Sequence, residues 1–189
     1  MRRIAATLSA VLLALSATAS IAAQDWIEVT NREDRFNIVF PAEPAVEDVE
    51  WVAEDGTTVR GHRYSASAGD FHYSLTVYDY RPADFTAMMG SMAHHATAYR
   101  RTGEVSIDAY AQMDRISGHQ LQLTTPDGRE KYVAFYLHDS LLYITESDIP
   151  NASPRGTIFQ HSLSIIDENG VRVRYNRDGT RNYERQLGD

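Results

Sequence analysis

The sequence predicts an α+β domain: a mainly antiparallel β-meander sheet with two helices packed on it. Three observations carry this prediction. Gly69-Asp70 separates two alternating runs as a hairpin turn. The apolar period changes from two to 3.6 after Tyr80. A second series of short strand-like runs then follows from Val105 to Thr145, ahead of another helical pattern.

In chain order, residues 1–23 read as a cleaved secretory signal. Arg2-Arg3 precede an Ala/Leu/Val-rich run, and small residues lead to Ala22-Ala23. The run is too short and too interrupted by Ser and Thr to serve as a transmembrane anchor. Removing 23 of the 189 residues leaves 166, enough for one well-cored domain over 24–175, with a polar tail at 176–189. Losing Arg2 and Arg3 takes the formal charge from −8 to −10, which argues against nucleic acid as a partner. With no cysteine, the chain has no disulfide, thiolate metal site or cysteine nucleophile. The predicted location is the periplasm of a bacterium, or its medium.

Trp26–Val29 and Phe36–Phe40 read as strands, the second stopped by Pro41. Val46–Ala53 and Val59–Ala68 are joined at Asp55-Gly56, read as a two-residue type I′ turn. That register sets Asp48 against Arg63 and puts Val49, Trp51 and Ala53 on the face of His62 and Tyr64. Gly69-Asp70 suits a type II′ turn and pairs Ala68 with Phe71, Tyr64 with Leu75, and His62 with Val77. His62 is then a mostly buried core histidine, and His72 lies on an opposite, small and polar face.

Asp84 is the predicted N-cap of the main helix, whose stripe is Phe85, Met88, Met89, Met92, Ala96 and Tyr99. Strands are predicted over Val105–Tyr110, Arg115–Thr125, Tyr132–Leu137 and Leu141–Thr145, with turns at Pro126-Asp127-Gly128 and Asp139-Ser140. Ser153 caps a second helix with Pro154 at its first position, a buried face of Ile158, Phe159, Ser162, Leu163 and Ile166, and an end at Gly170. Val171–Tyr175 is the predicted last strand.

Seven histidines invite a metal reading. His94 and His95 are successive and diverge by about 100°, whereas chelation from a helix uses i and i+4. His94 is predicted to point away from the apolar stripe and His95 to sit at its flank. No metal, cofactor or catalytic residue is predicted, since no GxSxG, GxGxxG or phosphate-loop pattern occurs. Arg172, Arg174, Arg177, Arg181 and Arg185 fall within fifteen residues of an otherwise acidic chain. They mark a candidate surface for an anionic partner; the plainer account is protection of a sheet edge.

The run Arg35-Phe36-Asn37-Ile38-Val39-Phe40-Pro41-Ala42-Glu43-Pro44, followed by hairpins ending in Val77-Tyr78-Asp79-Tyr80 and a helix, resembles small exported bacterial proteins of the PsbP/Mog1-like group. Ile38 stands where the pattern has Val. The resemblance implies a largely antiparallel sheet with helices on its faces, and no single activity or site residue. Three functions are open. The first is a non-enzymatic accessory protein contacting another envelope protein. The second is a carrier of a small apolar ligand between sheet and main helix, lined by Met88, Met89, Met92 and tyrosines. The third is a hydrolase with a dispersed site.

Overall fold

The computed structural model describes residues 26–150 and 154–183. The predicted signal at 1–23, the Ser153 cap and Arg185 lie outside them. The elements in chain order are β1 (Ile27–Asn31), β2 (Phe36–Phe40), β3 (Ala45–Val52), β4 (Thr58–Ala68), β5 (Phe71–Asp79) and α1 (Phe85–Arg100). They continue with β6 (Glu104–Met113), β7 (Ile116–Thr124), β8 (Glu130–His138), β9 (Leu141–Ile149), α2 (Pro154–Ser162) and β10 (Ser164–Ile165). A seven-stranded sheet runs β3-β4-β5-β9-β8-β7-β6, and a separate three-stranded sheet runs β1-β2-β10, antiparallel at every pairing. The fold is α+β, as predicted. No helix among the described residues is long and apolar enough to cross a membrane.

Local turn chemistry sets most registers. Gly69 has φ 61° while Asp70 does not enter the left-handed region, and the β4–β5 hairpin pairs Ala68 with Phe71 and His62 with Val77 as predicted. Asp114-Arg115 and Asp139-Ser140 both take positive φ and make two-residue type I′ turns without glycine. The β3–β4 turn corrects the sequence reading. Ala53 N donates to Thr57 O, Gly56 N donates to Ala53 O, and only Gly56, at φ 84°, is left-handed. The loop is therefore three residues, a type I turn closed by a bulged glycine, and the register slips by one. Trp51 faces Val59, Glu47 faces Arg63 and Asp48 faces His62. Val49, Trp51 and Ala53 thus lie on the face opposite His62 and Tyr64.

Both faces of the large sheet are covered. On one, Val59, Tyr78, Leu121, Val133, Phe135, Leu142 and Ile144 pack beneath Ala87 and Ala96 of α1. On the other, Tyr64, Tyr73, Leu75, Val77, Ala134, Tyr136 and Tyr143 pack against Phe36, Ile38 and Phe40 of the small sheet and Phe159 of α2. Of the β4–β5 face read as small and polar, the Arg63–Thr76 end, with Tyr78 beyond it, is the floor under α1, whereas Ser65, Ser67, His72 and Ser74 line an open groove. Asp84 caps α1, accepting from Ala87 N at 2.7 Å. The helix is rotated from its predicted stripe: Ala87, Ser91, His95 and Ala96 are buried, whereas Phe85 is 73% and Met89 55% exposed. Small residues face the sheet because they let the helix backbone approach it.

The C-terminal elements also differ from expectation. α2 stops at Ser162, whose Oγ donates to Phe159 O, and Ser164–Ile165 then pair with β2. Leu163 and Ile166 are buried outside any helix, and Ile158 is exposed. Gly170, at φ 83°, belongs to a turn from Asp167 to Val171. Val171–Tyr175 forms no continuous strand but two isolated bridges, Ile166 with Arg172 and Tyr175 with Arg181.

Candidate functional site

Trp51, on the α1 side of β3, and the inward-facing His95 help enclose a cavity of about 210 Å³ between the large sheet and the C-terminal half of the helix. Its floor is a cross-strand row: Arg63 of β4 faces Thr76 of β5, which faces Ile144 of β9. The next row sets Gly61 against Tyr78. Trp51 of β3 forms one wall, and His95, Ala98, Tyr99 and Thr102 form the roof.

His95 organises the aromatic wall. Its ring lies 4.1 Å from Trp51 at 27° and 5.0 Å from Tyr78 at 31°, so it is sandwiched between them. One nitrogen meets the Tyr80 hydroxyl at 3.0 Å. Burial, with a smaller contribution from His94, pulls its pKa down to about 3, so at neutral pH it is an uncharged aromatic surface. His94 meets the Trp51 ring edge-on at 5.4 Å, its Nδ1 accepting from Trp51 Nε1 at 3.5 Å.

The polar end holds two charge systems. Tyr99 donates to Glu146 at 2.7 Å, and Lys131 binds the same carboxylate at 2.7 Å, so Glu146 is neutralised in place. Burial and the Glu146 charge raise the Tyr99 pKa well above its usual value. Arg63 uses Nε on Thr76 at 3.3 Å and reaches Glu47 only at 3.6 Å. Burial raises the Tyr78 pKa, and the Arg63 charge opposes that. The Arg63 side chain is 40% exposed, and neither its guanidinium nor the Tyr78 hydroxyl is among the buried polar atoms left without a partner, so water reaches both.

A second, more polar cleft of about 430 Å³ lies on the opposite face, between the β1–β2 turn and β3–β4. Asp34 is its anchor, accepting from Tyr64 at 2.5 Å and pairing with His62 Nδ1 at 2.7 Å. His62 Nε2 stands 3.6 Å from Asp48. The bond to Asp34 raises the His62 pKa against the effect of burial, and nearby Asp48 and Glu33 add to the rise. The His62 side chain is 36% exposed, more open than the core histidine expected. This arrangement can orient and charge a histidine, but among the described residues the lining includes no serine, threonine or cysteine nucleophile.

Of the sequence-predicted residues, the cavity uses the tyrosines but not the methionines. Met88 and Met92 pack into the core under α1, and Met89 faces outward. Trp51, Arg63 and His95 were missed. Only the assignment of Trp51 and His95 to one face could have found them, and the misread turn obscured it. Among the described residues, three of the C-terminal arginines are held in ion pairs. Arg172 and Arg174 reach Asp114 at 2.6 and 3.4 Å, and Arg181 reaches Asp167 at 2.7 Å. Arg177 is exposed in the turn from Asn176 to Thr180.

No protein-family model and no curated protein matches the chain. Among solved structures it is similar to cyanobacterial PsbP (CyanoP) from Synechocystis sp. PCC 6803, at 12% identity over 80% of this chain and 98% of that one, with a TM-score of 0.48. It is also similar to a protein of unknown function from Pseudomonas aeruginosa, at 11% identity over 69% and 86% of the two chains, with a TM-score of 0.32. The PsbP-like resemblance concerns the fold and brings no site residue with it.

Proposed function

We propose that this is an exported, non-enzymatic binding protein that holds a small, flat, largely apolar ligand between the large sheet and α1. The observation that supports this reading is the aromatic cavity bounded by Trp51, Tyr78, His95, Tyr99 and Ile144. Binding sites are concave, mainly apolar and furnished with a few oriented polar groups, and this cavity has that character. At about 30 Å³ per water it has room for roughly seven waters, so its occupant is of single-ring size. Export rests on the pattern of residues 1–23.

One experiment tests both parts. The full-length gene product is recovered from the periplasm and weighed by intact and native mass spectrometry. The expected result is a chain shortened by about 23 residues carrying a small non-covalent adduct, which is lost in an Ala98→Trp variant that fills the cavity. An unshortened chain overturns export. A chain with no adduct, whose Ala98 and Thr102 amides also fail to shift with millimolar 2-phenylacetamide, overturns the binding reading.

A further inference from the structure

We infer that the ligand of the α1 cavity carries an anionic group, a carboxylate, which Arg63 and Tyr78 receive while its ring lies against Trp51, Tyr99 and Ile144. This deepens the binding reading above and rests on it. Arg63 and Tyr78 are diagonal neighbours on one face of the β4–β5 hairpin, because Arg63 faces Thr76 and Tyr78 stands two residues further along β5. At that spacing long and aromatic side chains reach one another. Both are donors, and both have unused capacity where they line the cavity. The guanidinium spends Nε on Thr76 and keeps only a 3.6 Å ion pair with Glu47, whose side chain is 60% exposed. An exposed pair of that length holds little energy and leaves the fork available for a carboxylate.

The other charged groups at the cavity are already matched. Glu146 is held by Tyr99 and by Lys131, which also pairs with Asp148 at 3.4 Å, so it does not occupy Arg63. His95 is uncharged and sandwiched between rings, so it contributes surface and no competing charge. One cation and one hydroxyl thus face an otherwise apolar slot. A neutral hydrocarbon would displace water from both donors without replacing its hydrogen bonds, whereas a carboxylate would accept from both.

The test compares two probes of one shape. The full chain is titrated with phenylacetate and with the neutral 2-phenylacetamide, following the amides of Thr76, Ala98 and Thr102 by two-dimensional NMR. Phenylacetate is expected to bind roughly tenfold or more tightly than the amide. Arg63→Met should weaken phenylacetate far more than the amide and so remove most of that difference. Tyr78→Phe, which deletes only the hydroxyl, should weaken phenylacetate severalfold and the amide less, and serves if the arginine variant does not fold. Equal affinity for both probes at these amides overturns the anionic assignment and leaves the apolar site standing. Loss of both probes' affinity in Arg63→Met alike also overturns it. No shift with either probe overturns the binding reading itself.

Discussion

His95 shows how much a single side chain's meaning depends on its neighbours. On a helical wheel it flanks the apolar stripe; in the fold it is 2% exposed between Trp51 and Tyr78. Its folded pKa of about 3 lies below the ordinary 6.5, so between those values the unfolded chain binds a proton that the folded chain does not. Stability therefore rises with pH through that window and its full contribution is present above about pH 6.5. Urea unfolding should give a wild-type protein weaker at pH 4 than at pH 7 by about 3 kcal/mol from this residue. His95→Gln, which cannot titrate, should lose most of that extra acid sensitivity. An equal pH dependence in both proteins would show that His95 is protonated in the folded state. Asp34 is the corresponding node on the other face, serving Tyr64 and His62 with one carboxylate.

At the element scale, the β4–β5 hairpin was legible in full because its register is written locally. A Gly-X turn, with Ala68, Ala66 and Tyr64 set against Phe71, Tyr73 and Leu75, specifies the pairing. The neighbouring β3–β4 hairpin was misread by one residue, since Asp-Gly suits both a two-residue turn and the bulged three-residue loop that forms. That slip moved Trp51 to the wrong face. The two glycines of the β4–β5 hairpin are not equivalent. A Cβ on Gly61 would stand 2.1 Å from Val77 O, whereas Gly69 has open space but a φ of 61°. Gly61→Ala should therefore force the strands apart and cost about 1–3 kcal/mol or more. Gly69→Ala should cost only about 1–2 kcal/mol of backbone strain. Chemical denaturation of the two variants distinguishes them; a neutral Gly61→Ala would contradict the close strand approach.

For the whole molecule, the large sheet is the middle of three layers, and its two faces belong to different cores. Phe159 ties the outer layer to it, its ring 5.2 Å from both Phe40 of the small sheet and Tyr73 of the large one. Phe159→Ala should destabilise by about 3–5 kcal/mol. The loss should be uneven: hydrogen exchange is expected to speed up first in β1, β2 and β10, while amides beneath α1 keep their protection. Uniform loss of protection would mean that the two faces unfold as one unit. The cavity lies on the α1 side, so a folded Phe159→Ala protein should retain it.

By itself the sequence determined the α+β class, the order of elements from β1 through α2, and the β4–β5 register. Each is encoded within a few consecutive residues, by turn chemistry, period or composition. Only the tertiary structure decided that β5 pairs with β9 across some seventy residues, and that β1 and β2 leave the main sheet to join β10. It alone rotated α1 so that Ala87, Ser91 and His95 face inward. A hint was present in the unbroken apolar runs of β8 and β9, which suit strands covered on both faces. What could not be read was which element covers which face. Long-range closure and close helix approach settle that, and the cavity exists only where those two outcomes meet.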